Sequence, residues 1–488
     1  MLQIRRTLVE IVPEWVESAH ADLEVSAISQ DSREIVPGTL FVARSGLQHR
    51  GVDFVEEAVS RGAVAILLDQ SELADCPQVA VPVIAVPELA GQIGPLAARF
   101  YGEPSRSLRV LGVTGTNGKT SCAHFIAQAM NHLQIKTAII GTVGNGFPGA
   151  LDKATHTTPD AIGLQRLFAE LQQQGAEAVV MEVSSHALEQ GRVAAVAFDY
   201  ALFTNLSRDH LDYHGSMQAY AEAKARLFTD YRLKAAIING DDPFGQQLLN
   251  DQRIDCRKVA VGRQQGDYLL AAYRLALHGI EAELKTAQGN FAFSSRIIGD
   301  FNLDNLLLVA AALAEQGFSH RQLVDALAQL DAVPGRMQAL VVADKPLVII
   351  DYAHTPDALE KALLAVRAHT RGTLWCVFGC GGDRDTGKRA LMGEVADRLA
   401  DHLVVTSDNP RTEEPATIIE MIRQGIAEHL PEIEADRAAA IELAICQAGA
   451  DDLVLIAGKG HEDYQEIGRE RLPFSDLIIS KKLLGVAA

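Results

Sequence analysis

A chain of 488 residues, 48% of them hydrophobic, is long enough for two to four domains, each with its own core. A formal net charge of −19 argues against broad nucleic-acid or membrane-surface binding, and no apolar run reaches spanning length, so membrane insertion is not expected. Glu10, Glu14 and Glu17 stand where a secretory leader would be apolar, and only Cys376 and Cys380 of the six cysteines lie close together, so a cytoplasmic chain with reduced thiols is expected.

Short apolar runs at 38–43, 63–68 and 81–86, with a helical stretch at 53–61, predict a small N-terminal α/β domain. Residues 99–109, with Pro104 and two serines, read as a linker. A second domain follows, with buried strands at 110–114, 178–183, 200–204 and 235–239 alternating with helices, which predicts a mostly parallel sheet. Short alternating runs over 267–293 suggest antiparallel hairpins, and 302–316 reads as a helix. Pro334-Gly335-Arg336 marks another boundary. Beyond it, apolar strands at 347–350, 373–378, 402–406 and 452–457 each end in a polar or glycine-rich turn, as in a Rossmann-like sheet whose ligands gather at the carboxyl ends of strands. The predicted fold class is therefore α/β with three domains, the central one a P-loop type mostly parallel sheet.

The most informative string runs from Thr114 through Gly115, Thr116, Asn117, Gly118, Lys119 and Thr120. A buried strand turns through small residues into a helix marked by Cys122, Phe125, Ile126, Ala129, Met130 and Leu133. Gly115 and Gly118 let the backbone approach a ligand, and the turn can aim N–H groups at a phosphate. Lys119 adds a point charge, and Thr120 offers a hydroxyl to Mg²⁺. Val113 stands where the longer P-loop pattern has glycine, and a plain tight turn is the competing reading. Glu182, ending an apolar strand, suits a Mg²⁺ ligand, against a helix cap or a loop ion pair. The stretch Ser207–His214 packs two histidines, two aspartates and an arginine; His210 could ligate a second ion, while His214 reads as a solvated or core-satisfied imidazole. Lys224 falls on the apolar stripe of Met217, Tyr220, Leu227 and Phe228. Burial there would lower its pKa and expose a neutral amine to CO₂, whereas the residues alone favour a snorkelling lysine. The segments 155–159 and 184–192 read as polar loops able to reach an anionic acceptor.

In their order along the chain, Gly115–Thr120, Glu182-Val-Ser-Ser-His186, Asn205-Leu-Ser-Arg-Asp-His210 and Asp351-Tyr-Ala-His354 resemble the Mur ligase family, ATP-dependent amide-bond ligases of bacterial cell-wall synthesis. The likeness covers essentially the whole chain. It implies a UDP-substrate-binding domain at 1–103, an ATPase domain at 104–333 and an amino-acid-binding domain at 334–488. It also implies an acyl phosphate on a glutamyl carboxylate, captured by an amine. Lys119, Glu182, His210 and Lys224 would be catalytic. Thr120, Glu182, His210 and Lys224 would serve the Mg²⁺ sites, with CO₂ held as a carbamate on Lys224. The family's ATP contacts map onto Thr114–Thr120, Asn302, Arg336, Asp351 and His354. Contacts to a UDP-sugar dipeptide map onto Ser32, Leu47, Gln48, His49, Thr157, Thr158, Ser184, Gln190 and Arg192. His156, Gln30, Leu47 and His49 depart from the family pattern. By the same resemblance, the string Asp408-Asn-Pro-Arg411 implies meso-diaminopimelate as the added amino acid, with Arg389 and Arg411 as a carboxylate clamp and Asp408, Asn409, Pro410, Gly458 and Glu462 around it. Lysine-adding and folylpolyglutamate-type ligases are the alternatives within the superfamily, and an ATP-driven regulatory switch is the alternative of another class. The partners expected are these small molecules, no nucleic acid, and a monomeric chain.

Overall fold

The structure, a computed structural model, describes residues 2, 4–46, 49–154, 156–276 and 279–486. It divides into two compact units, Met1–Ala260 and Val261–Ala488. Both are built from α/β layers, as the alternation of apolar runs predicts.

The first unit opens with a parallel sheet of β1 (Ala27–Ser29), β2 (Thr39–Ala43), β3 (Ala63–Asp69) and β4 (Val83–Val86), in that spatial order. All five residues of β2 are buried, as a strand covered on both faces requires. Helix α1 (Leu89–Tyr101) follows. The linker expected over 99–109 is corrected here. Arg99 to Tyr101 complete α1, which stops at Gly102 with φ 80°. Pro104–Ser107 is a 3₁₀ turn, and its Ser105 is buried with Oγ accepting from Ala197 N at 3.1 Å. A segment that buries Phe100 and Ser105 is packed structure rather than a tether.

The second sheet of this unit contains β5 (Arg109–Thr114), β6 (Thr137–Ile140), β7 (Ala178–Glu182), β8 (Tyr200–Phe203) and β9 (Ala235–Asn239). Their spatial order is β6-β7-β5-β8-β9, all parallel. The helices α2 (Lys119–His132), α3 (Ala161–Gln173), α4 (Ser185–Glu189) and α5 (Met217–Thr229) connect these strands. The chain leaves β5 for one flank of the sheet and later crosses to the other. Such a reversal opens a crevice at the carboxyl ends of the central strands. The polar loop expected over 184–192 is corrected: it contains α4, started by Ser184, whose Oγ accepts from Ala187 N at 3.2 Å.

In the second unit, β10 (Tyr268–Ala276), β11 (Gly279–Thr286) and β12 (Gly289–Ser295) form the expected antiparallel meander. Helix α6 (Asp300–Ala314) buries residues on every face, among them Leu303, Leu306, Leu307, Leu308 and Val309. The remaining sheet contains β13 (Gln338–Leu340), β14 (Leu347–Asp351), β15 (Leu374–Phe378), β16 (His402–Val405), β17 (Glu432–Ile433) and β18 (Leu453–Ala457). It is ordered β13-β14-β18-β15-β16-β17, with only the β13–β14 pair antiparallel. Ile298, from the segment before α6, is fully buried in the core of this sheet beside Leu359, Leu363 and Val366. His369 ties the same segment down: Nε2 accepts from Gly299 N at 3.0 Å, and Nδ1 bonds to Ala276 O at 2.6 Å. All six cysteines are free thiols, with Cys376 and Cys380 buried.

Candidate active site

Strand β5 carries the chain to the centre of its sheet and releases it at Gly115 with φ 147° and Gly118 with φ 85°. Both angles belong to the region that favours glycine. A Cβ on Gly115 would collide with Thr204 Oγ1, so the loop lies flat against the end of β8. Thr116 N donates to Asn205 O at 2.8 Å, Asn117 N donates to Asn205 Oδ1 at 3.0 Å, and Thr204 Oγ1 donates to Asn117 O. The loop is thus braced by the strand next to it. Lys119 Nζ reaches back to Gly115 O and Thr116 O, each at 2.9 Å.

Glu182 ends β7 with 1% of its surface exposed. Oε2 accepts from Thr120 Oγ1 at 2.9 Å, and Oε1 accepts from Thr142 N at 2.8 Å. The structure therefore joins the two residues expected to share a metal ion. Thr142 was not anticipated, although its position in Gly141-Thr142-Val143-Gly144, just past β6, is the kind of strand end where ligands collect.

Lys224 on α5 is 1% exposed, and its Nζ donates to Gly115 O at 2.8 Å. It lies 4.4 Å from the Tyr220 ring centroid. The snorkelling reading fails because the ammonium head, not only its stem, is inside. Burial, reinforced by the charge of Lys119, pushes its pKa down to about 6. His210 sits at φ 52° with its ring 6.0 Å from that of Tyr220 and 4.9 Å from that of His186. His214 is a satisfied core imidazole, with Nδ1 3.0 Å from Glu189 Oε2 and Nε2 2.9 Å from Ser185 Oγ.

Thr158 is buried at the end of β7: its Oγ1 donates to Glu182 O at 2.8 Å and accepts from Ser184 N at 3.2 Å. Thr157 shares a 3.0 Å hydrogen bond with Thr142. Arg192 donates to Gln190 Oε1 at 2.9 and 2.6 Å and to Thr158 O at 3.0 Å. Gln190 and Arg192 line a cavity of about 220 Å³ together with Gln30, Arg44, His156 and Asp160. Arg44 carried no signal in the sequence, since a lone arginine after a strand is ordinarily a solvated charge. Ser32 is buried with Oγ donating to Glu57 Oε2 at 2.9 Å, and His49 packs edge-on against Phe54. Leu47 and Gln48 lie outside the described residues.

In the second unit, Asn302 is buried, with Nδ2 donating to Ile298 O at 2.8 Å and Oδ1 accepting from Asn305 Nδ2 at 2.9 Å. Asp351 ends β14, and its Oδ2 accepts from Met337 N at 2.8 Å. Burial raises its carboxyl above the usual range. Arg336 lies over the Tyr352 ring at 5.2 Å, and His354 Nδ1 bonds to Tyr352 O at 2.8 Å, so these three expected residues share one strand end.

Four turns meet at the carboxyl end of the same sheet. Asp408 and Asn409 are buried, and Asn409 Nδ2 donates to Glu462 Oε2 at 2.9 Å. A Cβ on Gly458 would come within 2.5 Å of Asp408 Oδ2. Pro410 O accepts from Glu413 N, turning the chain at Arg411. Arg411 holds φ 49°, with Nε donating to Glu466 Oε2 at 2.9 Å and Nη1 to Gly382 O at 2.7 Å. Arg389 and Arg411, expected to form a carboxylate clamp, both donate to acceptors of their own chain. Arg389 is fully buried, and both Nη atoms already donate to Glu413, at 2.9 and 2.8 Å. Its fork is closed on a carboxylate of its own chain, which draws the Glu413 carboxyl down to about 2.

Three family models match the chain: the Mur ligase family catalytic domain at 24–101, the Mur ligase middle domain at 113–313, and the Mur ligase glutamate ligase domain at 335–460. The chain belongs to the Mur ligase family. Within it, the chain is 49% identical over 470 residues to the UDP-N-acetylmuramoyl-L-alanyl-D-glutamate–2,6-diaminopimelate ligase of Ectopseudomonas mendocina, covering 96% of each. It is also 49% identical over 473 residues to the Pseudomonas aeruginosa ligase of that name, again 96% of each. A solved structure of a ligase with that name has a TM-score of 0.79 at 37% identity over 99% of both chains. MurF ligase from Thermotoga maritima, in complex with ADP, shares the fold, with a TM-score of 0.61 at 20% identity over 94% of this chain and 98% of that one.

Proposed function

We propose that this chain is an ATP-dependent ligase that adds meso-2,6-diaminopimelate to the D-glutamate of UDP-N-acetylmuramoyl-L-alanyl-D-glutamate, in peptidoglycan precursor synthesis. The observation that carries this reading is the likeness to diaminopimelate ligases at 49% identity over 96% of the chain. The γ-phosphoryl group of ATP passes to the glutamyl carboxylate, the amine of diaminopimelate attacks the acyl phosphate, and orthophosphate leaves.

In the first unit, Thr114–Thr120 cradle the phosphates, with Lys119 swinging from the loop carbonyls to the transferred group. Thr120 and Glu182 suit Mg²⁺, which keeps several waters and takes only one or two protein oxygens. Their side chains already meet at 2.9 Å, and both offer oxygens, the Glu182 carboxylate from a buried position, so the donor set fits. When bound, the ion neutralises phosphate charge. Lys224, neutral in large part at pH 7, is poised to take up CO₂, and with His210 it serves the second metal region. Ser32, His49, Thr157, Thr158, Ser184, Gln190 and Arg192 hold the nucleotide-sugar peptide. In the second unit, Asn302 reads the adenine edge, Asp351 takes a ribose hydroxyl, and Arg336 and His354 attend the nucleotide. Arg411 takes the distal carboxylate of diaminopimelate while Arg389, through Glu413 and Gly381 O, braces the turn beside it. Domains at 1–103, 104–333 and 334–488, a monomeric chain and a cytoplasmic location complete the reading.

Incubation with ¹⁸O-labelled glutamyl acceptor, ATP and diaminopimelate tests it. Label is expected in the released phosphate, and release is expected to require both the acceptor and the amino acid. Unlabelled phosphate would overturn the acyl phosphate. Phosphate release with lysine or glutamate in place of diaminopimelate would move the chain to a sister activity.

A further inference from the structure

Lys459 has no role in the reading above, yet it is among the most deeply buried side chains of the second unit, with no exposed surface. It is turned inward by its neighbours. Gly458 and Gly460 hold φ of 119° and 54°, and a Cβ on Gly460 would sit 2.7 Å from that of Tyr352. Its Nζ donates to Asn409 Oδ1 at 3.0 Å and to Glu462 Oε2 at 2.9 Å, 5.5 Å from the Tyr464 ring centroid.

These bonds determine which way two polar groups face. Asn409 Oδ1 accepts from both Lys459 Nζ and Glu466 N, the latter at 2.9 Å. A flipped amide would set its NH₂ against an ammonium and an N–H, so Nδ2 is fixed toward Glu462. Glu462 Oε2 in turn accepts from both Lys459 and Asn409. That leaves Oε1 as the carboxylate oxygen with capacity for an incoming ammonium.

We propose that Lys459 is a positioning residue of the amino-acid site, orienting Asn409 and Glu462 so that one N–H and one carboxylate oxygen face the ammonium-and-carboxylate end of the substrate. This rests on the proposed ligase reading. The test compares wild type, Lys459→Met and the double variant Lys459→Met/Glu462→Gln in steady-state kinetics, with KM measured separately for ATP, the nucleotide-sugar peptide and the amino acid that wild type accepts. The expected result is a rise of at least about tenfold in the amino-acid KM for Lys459→Met, with the other two KM values within about twofold. The double variant removes a cation and its carboxylate together, so it is expected to recover thermal stability but not amino-acid affinity. An amino-acid KM within about twofold of wild type, or equal rises in all three, overturns the proposal. If Lys459→Met does not fold, the double variant is compared with Glu462→Gln alone, and an amino-acid KM no higher than that of Glu462→Gln overturns the proposal. Failure of wild type to accept diaminopimelate while accepting another amino acid would sink the ligase assignment and leave this test in force.

Discussion

Two lysine amines share one carbonyl at the phosphate loop. Lys119 and Lys224 both donate to Gly115 O, at 2.9 and 2.8 Å, and burial, reinforced by the charge of Lys119, favours the neutral form of Lys224. Lys224→Ala is expected to lose most activity, and a short carboxylic acid or high bicarbonate to restore part of it, because either can place an anion where a carbamate would stand. The same additives should not rescue Lys119→Ala, whose cation they cannot replace; equal rescue, or none at any concentration, would remove the carbamate from the mechanism. A second buried group reports on stability. His124 on α2 is 4% exposed, and burial lowers its pKa from 6.5 to about 4. The folded state resists the proton that the unfolded chain accepts. Stability is therefore unaffected above pH 6.5 and falls as pH drops from there toward 4, by up to about 3 kcal/mol. His124→Leu should flatten the difference in melting temperature between pH 7 and pH 4.5 relative to wild type.

At the scale of elements, the turns after the strands matter more than the strands. The turn Asp408–Arg411 is held by Gln465 Nε2 on Asp408 O at 2.7 Å, and by Glu466 O accepting from Arg411 N at 3.0 Å. Arg411→Ala should leave this backbone scaffold in place, lower kcat/KM for diaminopimelate far more than for ATP, and narrow the preference over lysine. Equal losses for the two amino acids would rule out a carboxylate contact. Much of this was legible beforehand. The strands are unbroken apolar runs closed by glycine or a polar residue, and motif strings named the loops that follow them. The helix Ser185–Glu189 escaped because it spans barely more than one turn, too short for a period of 3.6 to appear. Residues 99–109 misled because proline and serine suggest exposure, whereas Phe100 and Ser105 are buried by partners distant in sequence. The pairing of Arg389 with Glu413 is likewise long-range information: twenty-four residues separate the partners, and no local pattern links them.

For the molecule as a whole, a net charge of −19 sets a field that anionic nucleotides must enter. Their capture relies on short-range donors such as Lys119 and the loop N–H groups. Added salt should therefore raise the association rate of ATP, by up to about twofold between 20 and 150 mM at constant free Mg²⁺, rather than lower it as a positively steered site would. Stopped-flow binding of a fluorescent ATP analogue would show the sign; a falling rate would mean that local cations dominate the approach. The tie between Ile298 and the C-terminal sheet has a practical corollary. A fragment cut at residue 334 would leave an apolar hole where that isoleucine acts as a stopper, and would also release His369 from both of its backbone partners. Expressed alone, such a piece should be loosely packed and bind hydrophobic dye. One that begins early enough to carry β10–β12 and α6 brings its own plug and should melt cooperatively.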